Sequence, residues 1–209
     1  MSKLGGWFFR RRGLIPVPLF LVLFFLSVQK CENNLLMWSL GPFFLILGAA
    51  LRGWGVRHIG KANRTLKRKC KRIIVSGPYS LTRNPLYLGN LFILVSFTVM
   101  SGLLWLLPIF VPFFFFYYTC IILWEEDILR ESFSEEAENY FKRVPRWWSM
   151  KGIRGRIEKA FSFEGSVPLR EIIYREKRTW QFLAVMTVLL LLKDILDSDY
   201  HSIFIPFLH

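Results

Sequence analysis

Three groups of side chains in this sequence have the types and spacing to do chemistry. In Arg83-Asn84-Pro85-Leu86-Tyr87-Leu88-Gly89-Asn90 a guanidinium, an amide and a phenol stand at the entry to a long apolar stretch. Pro85 biases Asn84 away from helical backbone and itself suits a first helical turn. The unbonded N–H groups of such a turn, with Arg83 beside them, can receive a carboxylate or another anion. Glu125-Glu126-Asp127 places carboxylates where the apolar region ends, and Arg143-Val144-Pro145-Arg146 adds two guanidiniums soon after. With Tyr79, just after the Gly77-Pro78 punctuation, these groups would give a pocket acids, anion-binding donors and aromatic walls.

The elements that must position them are helices. Residues 86–124 carry no charge and are too long for one membrane span, so they read as two short spans joined near Ser101-Gly102. An antiparallel hairpin returns its far end to its starting side, which brings Glu125 and Glu126 back to Arg83, Asn84 and Tyr87. Gly89 and Asn90 are a small and a polar residue of the kind that let helices approach and hydrogen-bond in lipid. The run Phe113 to Tyr118 reads as lipid-facing bulk. Ile128, Leu129, Phe133, Ala137, Tyr140 and Phe141 recur at helical spacing among glutamates, so an amphipathic cytoplasmic helix follows the hairpin and packs over the pocket.

Composition gives the class. The 209 residues are 53% hydrophobic, with 21 Phe and 8 Trp, yet carry a net charge of +13, a mixture suited to an integral membrane protein. Nothing divides the chain, so residues 1–209 are read as one domain. Its fold class is all-α, a polytopic bundle of four to five spans with cytoplasmic amphipathic helices. The first span is expected over residues 14–28 and the second over 35–51, with a kink at Gly41-Pro42. Residues 52–83 read as a basic loop on the membrane surface, where Arg52 snorkels to the interface instead of facing a pocket. Ile153, Ile157 and Phe161 mark a basic surface helix, and residues 180–192 form a short last span with an acidic tail outside. The positive-inside rule then makes the N-terminus and the pocket side cytoplasmic. The basic run from Lys61 to Arg72 lacks interleaved aromatics, which favours a topology signal over nucleic acid. Cys31, Cys70 and Cys120 and the three histidines are scattered, so no metal is expected.

Gly77-Pro78-Tyr79, the Arg83–Asn90 stretch, Glu125-Glu126 and Val144-Pro145-Arg146, taken in that order, resemble the isoprenylcysteine carboxyl methyltransferase and phospholipid methyltransferase group of membrane enzymes. The resemblance covers about residues 45–148 and leaves 149–209 as a C-terminal extension. Two departures stand out. Many members have His where this chain has Asn84, and the family's Phe-Gly-x-x-Tyr-x-x-Tyr run reads here as Phe133-Ser134-Glu135-Glu136-Ala137-Glu138-Asn139-Tyr140.

The resemblance implies an S-adenosylmethionine-dependent methyltransferase acting on a lipid or lipidated acceptor that enters from the membrane. Tyr79, Arg83, Asn84, Pro85, Leu86, Tyr87, Gly89, Asn90, Glu125 and Glu126 are then the expected cofactor-binding positions. Glu125 or Glu126 suits the cofactor's ammonium, and Arg83 with the helix N–H groups its carboxylate. Arg143 or Arg146 could orient a carboxylate acceptor, whereas an amine acceptor needs a proton acceptor, for which Glu126 is the candidate. Two other readings stay open: a nicotinamide-dependent membrane sterol-type reductase, and a non-catalytic membrane scaffold.

Overall fold

The computed structural model of the chain describes residues 2–26, 33–59, 72–150, 152–161 and 167–204. The basic residues from Lys61 to Lys71, the Cys31-Glu32 turn and the side chains of Asp197 and Asp199 lie outside what it describes. It is a membrane helix bundle, and no strand occurs among the described residues. Among the described residues eight α-helices run in order: α1 (Ser2–Arg10), α2 (Val17–Phe25), α3 (Asn34–Ile59), α4 (Pro85–Met100), α5 (Leu107–Arg143), α6 (Ile153–Ala160), α7 (Leu169–Arg175) and α8 (Lys177–Phe204).

Segments Asn34–Ile59, Leu104–Arg143 and Lys177–Leu196 are long and apolar enough to cross a bilayer, and α4 is a shorter apolar helix of 16 residues. The last of these fits the expected final span. The first expected span is not found as one crossing helix. Residues 11–16 form turns around Gly13 and Pro16, and α2 has only nine residues, about 13 Å at 1.5 Å per residue. Lys193 of α8 caps this short helix, donating to the carbonyls of Leu23, at 2.9 Å, and Leu26.

The second span also departs from expectation, because α3 continues two turns past Arg52. Its extension has a buried face: Gly55 lies against Leu86 and Pro85, and Val56 and His58 are buried, His58 beneath Gly77. A helix that buries such a face has no reason to stop where the sequence turns basic. Glycines set the distance between α3 and α4. A Cβ at Gly89 would meet Arg52 Cγ at 2.6 Å and Gly48 O at 2.9 Å, and one at Gly48 would meet Gly89 O at 2.7 Å. Ser96 adds a hydrogen bond to Gly41 O at 2.7 Å, next to Pro42 inside α3.

The turn at Ser101-Gly102 reverses the chain as expected, with Gly102 at φ +73°. In the aromatic run of α5, Phe113 and Phe116 are exposed, but Phe114, Tyr117 and Tyr118 turn inward into the core, contrary to the lipid-facing reading. Helix α1 lies along α5, where Gly5 and Gly6 let it close on Cys120 and Trp124.

Past the membrane, α5 continues as the amphipathic helix that periodicity predicts, but it is broken at Ser134, whose φ of +40° and ψ of −106° are not helical. Beyond the break Ala137, Tyr140 and Val144 bury themselves with Ile73. Helix α6 is present where the basic surface helix is expected, with Ile157 and Phe161 exposed; Arg156 is buried and fixes it by donating to Leu81 O and Ser149 O. Helix α7 returns to α3, with Val167 N bonded to Arg57 O and Ile172 near Gly53.

Candidate functional site

The start of α4 and the emerging part of α5 meet as the hairpin requires. Arg83 Nη1 donates to Glu126 Oε1 at 2.7 Å, and Arg146 grips the same carboxylate with both arms, Nε to Oε1 at 3.0 Å and Nη2 to Oε2 at 2.8 Å. Glu126 is 3% exposed, so this acid depends on its two cations. Arg83 also donates Nε to Val144 O and Nη2 to Phe141 O, and lies over the Phe141 ring. Burial pulls the Arg83 guanidinium below its ordinary range while Glu126 opposes that shift; the hydrogen bond to Glu126 raises Arg146. Both stay cationic at any physiological pH.

The segment 144–146 is stitched to the entry of α4 by backbone as well. Arg83 N donates to Pro145 O at 3.0 Å, and Arg146 O accepts from Thr82 Oγ1 at 3.1 Å and from Asn84 Nδ2 at 2.9 Å. Asn84 is the N-cap of α4, but its side chain is used on Arg146 O and not on its own helix. The first turn of α4 therefore lacks a side-chain cap. Tyr140 Oη ties down the preceding turn by donating to Tyr79 O at 3.0 Å.

A second polar layer lies one turn further into α4. Tyr87 Oη donates to Glu125 Oε2 at 3.0 Å, and the Tyr87 ring sits 4.6 Å from that of Tyr118. Asn90 bridges two helices, its Nδ2 donating to Tyr118 Oη at 3.0 Å and its Oδ1 accepting from Arg52 Nη1 at 2.5 Å. Arg52 does not snorkel. Its other arms reach Glu176 at 2.5 and 3.1 Å and Thr179 at 3.3 Å, tying α3 to the start of α8.

The structure thus brings together Arg83, Asn84, Tyr87, Asn90, Glu125, Glu126 and Arg146 of the expected set. It separates Arg143, which is exposed and lines a cleft of about 680 Å³ with Glu135, Glu136 and Lys159. Pro85 opens α4, and Leu86 and Gly89 face α3, where they serve close packing. Three participants were not foreseen. Arg52 and Glu176 pair across 124 positions with no motif to link them, whereas Tyr118 could have been found from its polar tip within an inward-facing helical stripe. Among the described residues no group of three or more His, Cys, Asp or Glu could hold a metal ion.

Residues 36–136 match the phospholipid methyltransferase family model. The cobalt-zinc-cadmium resistance protein CzcN of Cupriavidus metallidurans is 32% identical over 114 residues, 54% of this chain and 49% of that protein. The chain therefore spans about half the length of this curated relative. No solved structure matches it. The matched segment holds α3, α4 and most of α5, with Arg83, Tyr87, Glu125 and Glu126 inside it, and the ordered motifs point to the same group. Residues 36–136 are thus similar to the phospholipid methyltransferase family, the same group of membrane proteins that the ordered motifs resemble.

Proposed function

We propose that the chain is an S-adenosylmethionine-dependent methyltransferase acting on a lipid or lipidated acceptor, with its reactive site on the cytoplasmic side. The observation that carries this reading is the pair of carboxylates at the α4–α5 junction. Glu126 is saturated by Arg83 and Arg146, while Glu125, its neighbour, accepts among the described residues from a neutral phenol alone. A carboxylate so placed retains capacity for an ammonium group. The cofactor's methionine end carries both an ammonium and a carboxylate, and the donor set fits both: Glu125 for the first, Arg146 and the uncapped first turn of α4 for the second. The Tyr87 and Tyr118 rings, 4.6 Å apart, supply aromatic surface nearby. Arg83 and Glu126 hold the geometry of this end as much as they line it, and Asn84 and Asn90 fix Arg146 and Arg52 by hydrogen bonds. When bound, the cofactor supplies an electrophilic methyl group; positioning by the protein can then account for most of the rate with a nucleophilic acceptor.

Purified protein should bind methyl-labelled S-adenosylmethionine saturably, with displacement by S-adenosylhomocysteine. Glu125→Gln should weaken that binding by about 1.5–3 kcal/mol, the usual worth of a charged hydrogen bond. Label should then pass from cofactor to membrane lipid or lipidated protein. Absence of cofactor binding by the well-folded wild-type protein, or unchanged affinity in Glu125→Gln, would overturn the assignment; binding of a nicotinamide cofactor in its place would favour the reductase reading.

A further inference from the structure

A cavity of about 380 Å³ lies beside the second polar layer, and its walls come from both inside and outside the segment that carries the family likeness. Asn90, Leu94 and Tyr118 belong to that segment; Arg12 and Phe20 come from the N-terminal turn and α2, Arg178 and Phe182 from α8. The size suits a single small amphiphile or the leading part of a larger one.

Its chemistry is uneven. Leu94, Phe20, Phe113 and Phe182 make an apolar interior, and three arginines sit on the wall. Arg52 is neutralised by Glu176. Neither Arg12 nor Arg178 makes an ion pair among the described residues, and both are exposed. Arg12 lies over the Phe9 ring and is felt by Glu125 through space, but Glu125 is hydrogen-bonded by Tyr87 instead. A second, independent feature belongs to the same wall. Tyr117 is 2% exposed, and among the described residues its hydroxyl has no hydrogen-bond partner. Buried hydroxyls are nearly always bonded, and one left unmet on a cavity wall marks where a polar atom of a ligand belongs.

We infer that this cavity binds one anionic amphiphile, its hydrocarbon tail among Phe20, Phe113 and Phe182 and its phosphate or carboxylate head against Arg12 and Arg178, with the Tyr117 hydroxyl donating to it. Guanidinium groups pair with either anion through parallel N–H donors. The two guanidiniums that read the head group thus lie outside the matched segment, while Tyr117 lies within it. Binding requires neither cofactor nor turnover, so its test is separate from that of the methyltransferase reading.

The 209-residue protein in an uncharged detergent, without cofactor, is offered oleoyl lysophosphatidic acid, oleate or oleoyl lysophosphatidylcholine, and bound molecules are counted by native mass spectrometry. One anionic molecule should bind at least tenfold more tightly than the zwitterion, and whichever of lysophosphatidic acid and oleate binds better names the head group. Inorganic phosphate at millimolar concentration should not displace it. Arg12→Gln with Arg178→Gln should abolish the preference by lowering anion affinity at least tenfold while leaving lysophosphatidylcholine unchanged. Tyr117→Phe should lower anion affinity several-fold without lowering the melting temperature, because it deletes a hydroxyl that no described residue satisfies. Equal binding of the two lysolipids, displacement by free phosphate, or wild-type anion affinity in either variant would overturn the inference.

Discussion

Ser134 offers a sharp test of how the second half of α5 is built. Its φ of +40° and ψ of −106° lie close to the first central position of a type II′ turn, where glycine is favoured because a Cβ collides with its own backbone. The resembling family has glycine at this point, so the chain here holds a serine in a conformation made for glycine. Such a residue costs about 1–3 kcal/mol of strain. Ser134→Gly removes that strain but raises the entropy of the unfolded chain, worth about 0.5–1 kcal/mol in the opposite sense. Ser134 is exposed, so no buried contact is lost with its side chain. The balance is a net gain of about 0–2.5 kcal/mol, which for a chain of this size moves the melting temperature up by as much as about 10 °C. The assay is thermal unfolding in detergent followed by intrinsic Trp fluorescence, with Ser134→Ala as the control that keeps the Cβ. Alanine should melt with the wild type or below it. A glycine variant that melts no higher than the alanine variant would show that the break in α5 is not strained and that the reasoning fails.

Other expectations follow from the same geometry. Glu126→Gln should leave Arg83 buried opposite a neutral group and lose about 3–5 kcal/mol, seen as collapse of the melting transition, whereas Glu125→Gln should melt near the wild type. Asn84→Ala removes the bond to Arg146 O and should cost about 1 kcal/mol of stability or cofactor affinity, while Asn84→His, which can donate the same bond, should be tolerated and introduce a pH dependence near neutrality. Wild-type cofactor affinity should be flat between about pH 6 and 8 as regards position 84 and the two arginines. In a cysteine-free background, Trp105→Cys and Met150→Cys, both at exposed positions, should label from opposite sides of the membrane; labelling from one side would contradict the hairpin and the cytoplasmic placement of the site.

The meeting of Arg83 with Glu126 was legible in the sequence because two apolar stretches of similar length, joined at a glycine, leave little choice about where their ends lie. The approach of Gly48 and Gly89 was half legible: Gly89 signalled close packing, but its partner sat inside a span with nothing to mark it. Arg52 was misjudged because a charge at the end of an apolar run usually escapes to water, and its acidic partner arrives more than a hundred residues later. Helix α1 was hidden for a related reason. Nine residues are too few for a periodic pattern to stand out, and the apposition of Gly5, Gly6, Phe8 and Phe9 to α5 shows that they pack. The departure at Ser134 was visible as a letter, but its meaning lay in a dihedral angle that no side-chain pattern encodes.

The length of α4 has a consequence for the bilayer. Its 16 residues reach about 24 Å, against a hydrocarbon thickness of about 30 Å. The turn at Ser101-Gly102 closes one end and the polar cluster around Asn84 the other, so this helix cannot lengthen to meet the membrane; the membrane must thin around it or the cluster must sit below the glycerol backbones of the surrounding lipids. In either case the polar end of α4 is met at the depth where acyl chains begin. A lipid would present its upper chain and head group there without rising out of its leaflet, and thicker, sterol-rich membranes would oppose the fit more strongly than thin ones.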